Sequence, residues 1–261
     1  MEHNDRIRQA FAHQAQSFGL DGLTLSSQAY LAWMVEALPL QAHYRVLDVA
    51  AGTAHLSRAI APHVAEVVAL DLTPEMLSRA RSEADRAGLT NIRFVQGDAG
   101  AIDSPDGCFD MVVSRLAIHH FVEPSIQLAE MVRVCQAGHM VAIIDLLSPP
   151  DDSLIAPYNR LETLRDPSHT LALTESGMVA AMEQAGLDVV GVDSRQIPVE
   201  FERWVAMTGV GDVAREEIRG ELMAEIEGGT LTGMRPFIED NRLKFWQTWA
   251  VFLGAKKERG S

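Results

Sequence analysis

The sequence predicts an α/β protein with a doubly wound, mostly parallel sheet of seven strands, helices ahead of the first strand and an insertion before the last. Three observations predict it. From Arg45 onward, short runs rich in Val, Ile and Leu alternate with segments of helical period. The runs "RVLDVA", "EVVALD", "IRFVQ", "DMVVSR" and "MVAIID" carry no polar face, as strands covered by helices on both sides require. Proline and glycine stand where the helices between them must start and stop.

The elements follow in order. Ile7, Phe11, Ala15 and Phe18 recur at helical spacing, and a second apolar helix runs from about Ser26 to Leu38, where Pro39 stops it. Residues 1–40 thus form a helical cover outside the sheet. After the second strand Thr73 is placed to cap a helix, Pro74 sits in its first turn, Leu77 and Ala80 share a face, and Gly88 follows its end. Beyond the fifth strand, "LLSPPDDSLIAPYNRLETLRDPSHT" is a turn-rich segment leading into a helix. A further helix ends at "EQAGLDVV", where Gly186 provides the stop and a sixth strand begins. Residues from about 197 to 243 read as an insertion with two helical stretches, the second, "VAREEIRGELMAEIEGG", charged and solvated. The run "KFWQTWAVFLG" alternates as a last strand. The chain reads as one domain, 1–261, in which 41–147 form the core and 148–261 the second half.

Composition narrows the function. The 261 residues are 47 % hydrophobic and 22 % charged, enough apolar material for a sizeable core. A net charge of −14 repels a phosphate backbone, so nucleic acid is not the expected partner. Cys108 and Cys135 are too few for a disulfide framework and are not spaced as zinc ligands. Asp151 and Asp152 have no third carboxylate or histidine at ligand spacing, so no metal is expected. With a polar N-terminus and no run of transmembrane length, the expectation is a cytoplasmic protein without membrane insertion.

In an open parallel sheet, ligands bind beyond the carboxyl ends of the strands. After the first strand comes Asp48 and then "VAAGTA", in which Gly52 lets the main chain approach a ligand ahead of a helix N-terminus. Asp71, 23 positions on, ends the second strand where a carboxylate can accept both hydroxyls of a ribose. After the third strand, "GDA" offers Asp98 to an exocyclic amine such as that of adenine. A lone Asp at a strand end is usually a turn or a cap; three in consecutive units, each matching a part of one nucleoside, are harder to assign to turns. A nicotinamide or flavin dinucleotide needs a glycine-rich loop to admit its pyrophosphate, and "AAGTAH" has Ala50 and Ala54 where glycines belong. A cofactor without phosphate, such as S-adenosylmethionine, needs less room.

The order "VLDVAAGT", "VVALDLTPEML", "NIRFVQGDAGAID", "FDMVVSRLAIHHFVEP" and "MVRVCQAGHMVAIIDLLSP" resembles the class I S-adenosylmethionine-dependent methyltransferases, in particular the group related to the ubiquinone and menaquinone C-methyltransferases. The resemblance is close over 45–147 and visible in "NRLETLRDPSHT" and the last strand. It implies a Rossmann-like methyltransferase fold, S-adenosylmethionine as cofactor and S-adenosylhomocysteine as product. It also implies that Asp48, Gly52 and Thr53 hold the methionine end, Asp71 the ribose, and Asp98 with Ala99 the adenine. Arg115 falls where the family has a residue facing the cofactor, and Ala50, Leu72 and Met76 complete the cofactor-binding set. Two departures stand out: Ala54 replaces a usual glycine, and "CQAGH" stands where a Pro-Gly-Gly turn is typical.

Methyl transfer from a sulfonium is an in-line displacement, helped by positioning, by exclusion of water and, for acidic acceptors, by a base. His119 of "HHF" is the candidate base at the mouth of the site, weighed against ordinary packing in the core. Asp145, Tyr158, Phe11 and Phe18 are candidate substrate contacts beside His119; Arg165 and His169 border the same region, and Trp33 and Met34 could roof it. Strand four ends in "SRLA", not in the Asn/Asp-Pro-Pro-Tyr/Phe signature of nucleic-acid amine methylation. The expected partner is a small cyclic or aromatic methyl acceptor, a quinone precursor or natural-product intermediate, with a homodimer left open. The altered first loop also admits a non-catalytic S-adenosylmethionine sensor or scaffold; an NAD-dependent oxidoreductase is the third reading, revived only if neither S-adenosylmethionine nor S-adenosylhomocysteine binds.

Overall fold

A computed structural model describes residues 24–258. Phe11, Phe18 and the first expected helix lie outside the described residues. The strands are β1 (Arg45–Val49), β2 (Glu66–Asp71), β3 (Ile92–Gln96), β4 (Phe109–Arg115), β5 (Cys135–Leu147), β6 (Leu187–Glu200), β7 (Phe237–Glu239) and β8 (Arg242–Lys256). The helices are α1 (Gln28–Ala37), α2 (His55–Ile60), α3 (Pro74–Arg86), α4 (Pro124–Val134), α5 (Asp152–Arg165), α6 (Glu175–Gln184), α7 (Phe201–Thr208) and α8 (Asp212–Ile226).

The sheet runs β3-β2-β1-β4-β5-β8-β6, with β7 paired to β8. β1 to β5 are parallel, and β8 enters antiparallel between β5 and β6. Strand order reverses between β1 and β4, so the crevice that such a sheet opens for a ligand lies beyond their carboxyl ends.

Alternate residues of each strand face opposite layers, and both layers are apolar. Val46, Val67, Met111, Val113, Ala142 and Ile144 pack with α1, α2, α5, α7 and α8. Leu47, Val49, Val68, Val112, Val141 and Ile143 pack with α4 and α6. This is why β1, β2, β4 and β5 read as apolar runs; β3, at the edge of the sheet, is only half-buried with Arg93 and Gln96 exposed, a correction to the expectation that it is covered on both faces.

Four local readings are corrected. The sheet has eight strands: β7 and β8 form a hairpin whose two turn residues, Asp240 and Asn241, have φ of 51° and 58°, the left-handed pair of a tight turn. β6 extends to Glu200, so the insertion occupies 201–241. Helix α8 is not simply solvated: Ile218 and Leu222 enter the core, while Arg160 of α5 pairs with its Glu217 and Glu221. Thr73 does not cap α3 through its side chain; its backbone N–H donates to Asp71 Oδ1 at 2.8 Å. Asp151, by contrast, is a helix cap, accepting from Ser153 N at 2.9 Å, and no group of three metal-ligating side chains occurs among the described residues.

Candidate functional site

A large cavity opens at the carboxyl ends of β1, β2 and β4 and runs under α7. Its first half is made by backbone. The loop after β1 takes three left-handed residues in five, Ala50 (φ 56°), Gly52 (φ 55°) and Ala54 (φ 57°), and Ala54 is the N-cap of α2. Alanine therefore adopts the conformation that glycine usually supplies, at a steric cost of roughly 1–2 kcal/mol per residue. At Gly52 a Cβ would project into open space, the cavity itself, so the glycine keeps that space for a ligand.

Asp71 is held by this loop. Its Oδ2 accepts from Gly52 N at 2.7 Å and its Oδ1 from Thr73 N at 2.8 Å. The Thr73 side chain and the Leu72 amide also hydrogen-bond this carboxylate, and Asp71 lines the cavity. Burial raises the Asp71 pKa, and the Thr73 and Gly52 amides oppose the rise. Asp98 accepts from Gly100 N at 2.8 Å, with Ala99, Leu72 and Met76 as apolar neighbours along the wall. Ala50, Gly52, Thr53, Asp71, Leu72, Met76, Asp98, Ala99 and Arg115 all line the cavity.

Asp48 is placed elsewhere. It lies 1 % exposed beneath the loop and is absent from the lining: Oδ2 accepts from Ser57 Oγ at 2.5 Å, while Oδ1 is buried without a partner. Burial pushes its pKa up to about 6, against Ser57 and Arg115. Arg115 joins the two halves. Burial lowers it to about 10, Asp48 and Asp145 pull it back, and it contacts Met34 Sδ at 3.3 Å with its guanidinium 5.9 Å from the Trp249 ring centroid. The next residue, Leu116, is left-handed (φ 53°), a strained turn that carries the chain from β4 into the cavity wall.

The second half is made by side chains. His119 sits in the turn Ile118–His120 and lines the cavity. Its Nδ1 meets Asp145 Oδ1 at 2.5 Å, and its backbone N–H donates to Asp145 Oδ2 at 3.2 Å. Asp145 is 0 % exposed, lies behind the imidazole and also accepts from Leu146 N at 2.7 Å. It orients His119 and does not line the cavity, a correction to its expected substrate contact. With Nδ1–H directed at a carboxylate, the ring presents Nε2 as the proton acceptor.

Two further imidazoles surround it, His120 at 4.1 Å and His169 at 5.4 Å between centroids. Burial, with His119 as the next cause, pushes both down to about 3, so they are neutral at ordinary pH. His120 Nδ1 bonds Ser168 O at 3.1 Å, and His169 Nε2 bonds Asn159 Oδ1 at 2.8 Å.

Tyr158, Trp33 and Met34 belong to the apolar core and are absent from the lining, and His169 stands behind the wall. Arg165 does line the cavity. So do residues not singled out from sequence: His55, Gln127, Trp204, Met207, Gln247 and Trp249. For Gln247 and Trp249 the two-residue alternation of the last strand was an available signal; for Trp204 nothing local distinguished it from core.

Comparison with known proteins agrees with this geometry. Residues 46–138 match the family described as a methyltransferase domain. The chain is 32 % identical to the uncharacterized methyltransferase YcgJ of Bacillus subtilis (strain 168), over 69 % of this chain and 71 % of that protein. The chain belongs to the class I S-adenosylmethionine-dependent methyltransferases. The crystal structure of YcgJ superposes with a TM-score of 0.80 at 28 % identity, covering 89 % of this chain and 100 % of that one. The demethylmenaquinone methyltransferase of Thermus thermophilus is 34 % identical over 54 % of this chain and 66 % of its own length, which places this methyltransferase near the menaquinone group. Its cofactor is S-adenosylmethionine, and the left-handed loop, the Gly52 opening and the doubly anchored Asp71 fit that molecule.

Proposed function

We propose that this methyltransferase methylates a small cyclic or aromatic molecule, with His119 as the base. The observation that carries the reading is the His119–Asp145 pair on the wall of the cavity that the cofactor loops also line. Bound there, S-adenosylmethionine supplies a methyl group on a sulfonium and leaves as S-adenosylhomocysteine. Asp71 receives the ribose hydroxyls, Asp98 and Ala99 the adenine, and Gly52 with Thr53 the methionine end.

The rest is the work of this chain's own side chains. Asp145 fixes the tautomer and the orientation of His119, whose Nε2 takes the proton from the acceptor; neutral His120 beside it adds no competing charge. Trp204, Trp249, Met207 and Leu146 enclose the acceptor and exclude water. The likeness to a demethylmenaquinone methyltransferase supports a quinone precursor, or a comparable natural-product intermediate, as acceptor. The charge of −14 argues against a nucleic acid. No helix among the described residues is long and apolar enough to cross a membrane.

The test is incubation with methyl-labelled S-adenosylmethionine and the small-molecule fraction of the producing cells, followed by mass spectrometry. A labelled cyclic metabolite is expected. Cofactor binding with no labelled product in any fraction would favour a sensor instead.

A further inference from the structure

The part of the cavity wall built by α5, α7 and β8 holds a buried polar chain that is nearly, but not fully, satisfied. Arg165 is 5 % exposed; its Nη2 donates to Glu162 Oε2 at 2.9 Å, and Nη1 stands 3.8 Å from Asp166 Oδ2. The other oxygen of Glu162 accepts from Gln247 Nε2 at 2.8 Å, and Gln247 Oε1 accepts from Trp249 Nε1 at 3.1 Å. Two buried donors are left with no acceptor: Nε of Arg165 and Nε1 of Trp204. They are neighbours, since the Arg165 guanidinium carbon lies 5.1 Å from the Trp204 ring centroid, and both residues line the cavity.

Both groups only donate, so what completes them must bring lone pairs. It need not bring charge. Glu162 and Asp166 already balance the guanidinium, and a further anion would meet two carboxylates at close range. The same cavity is lined by Trp249, Met207 and Leu146, side chains suited to a flat apolar ring.

We propose that this wall is a specificity subsite for a neutral carbonyl oxygen on a planar cyclic acceptor, received by the Nε–H of Arg165 and the indole N–H of Trp204. The inference rests on the methyltransferase reading only in taking the ligand as methyl acceptor. A ring that presents a hydrocarbon edge leaves both donors unmet, and one that presents a carboxylate crowds Glu162 and Asp166. The subsite thus selects on the side of the ligand distant from the chemistry, as binding energy from non-reacting groups does.

The test uses the full chain saturated with S-adenosylhomocysteine and three probes of similar shape: 1-tetralone, tetralin and 1-naphthoate. Binding is followed by ligand-observed NMR. 1-Tetralone is expected to bind about tenfold more tightly than tetralin, the scale of one good buried hydrogen bond, and 1-naphthoate no more tightly than tetralin. Trp204→Phe, which keeps an aromatic ring and removes the N–H, should shrink the ketone's advantage at least about threefold. Equal binding of ketone and hydrocarbon, or no binding of either, or tightest binding of the carboxylate, would overturn the subsite, as would a full ketone preference in Trp204→Phe. Failure of the wild-type chain to bind S-adenosylhomocysteine would count against the methyltransferase reading instead.

Discussion

The two halves of the cavity are built from different materials. On the cofactor side the polar groups are backbone amides and strand-end carboxylates drawn from 50–99, ordered by a loop with three left-handed residues. On the acceptor side they are side chains from 115–120, 165–166, 199–207 and 247–249, brought together by packing of α5, α7 and β8. Where the site is main chain, as in the loop 50–54, it tolerates Ala for Gly, and side-chain identity matters chiefly at the carboxylates Asp71 and Asp98. A site made of buried side chains ties every member to its partners, and on the function proposed above it is this half that selects the acceptor.

The largest effect that would sharpen this contrast is on turnover. His119→Asn should lower kcat about 10²–10⁴-fold, the range for loss of a general base, with little change in KM for S-adenosylmethionine. Asp145→Asn, which keeps the shape but removes the charge behind the ring, should also lower kcat rather than raise that KM. A rise in cofactor KM without loss of kcat in either variant would blur the division.

Next comes acid stability, which the acceptor half should dominate. His120 and His169, held down to about 3 chiefly by burial, bind fewer protons folded than unfolded, so their stability is present above the unfolded value of 6.5 and lost as pH falls below it. Asp48, pushed up to about 6 by burial, has the opposite sign: the folded chain keeps a proton that the unfolded chain releases above 3.8. Two rings outweigh one carboxyl. Unfolding in urea should therefore lose about 2–3 kcal/mol between pH 7 and 5, and His169→Gln should remove about three quarters of that loss, because the opposing Asp48 contribution is left in place. A flat profile would mean that neither ring is buried neutral.

The smallest effect belongs to the cofactor loop. Ala50→Gly should relieve a left-handed alanine and stabilise the chain by about 0.5–1 kcal/mol, offset in part by the freer unfolded state, visible as a small rise in Tm. Destabilisation would show that the Ala50 methyl is needed for packing.

The same contrast governs what could be read from the sequence. The parallel core is legible because strand, turn and helix lie within a few tens of residues, and nine of the ten residues expected to hold the cofactor line one cavity for the same reason, since local periodicity reports strand ends. Asp48 was misplaced, since a strand-end carboxylate reads alike whether it faces a cavity or, as here, Ser57 beneath it. The His119–Asp145 pair spans 26 residues and two strand ends; each partner was singled out, but their contact was not. Trp204 and Arg165 meet only through tertiary packing, 39 residues apart in sequence, and an amphipathic helix accounts for Arg165 equally well. β7 went unseen because three residues carry too little pattern, although the Asp240–Asn241 turn was a signal.

The division is tested most directly by calorimetric titration of S-adenosylhomocysteine into wild type, Asp71→Ala and His119→Asn side by side. The expected result is a loss of roughly 1–3 kcal/mol in binding for Asp71→Ala, the cost of a lost charged hydrogen bond, and wild-type affinity for His119→Asn. Unchanged affinity in Asp71→Ala, or weakened affinity in His119→Asn, would contradict it.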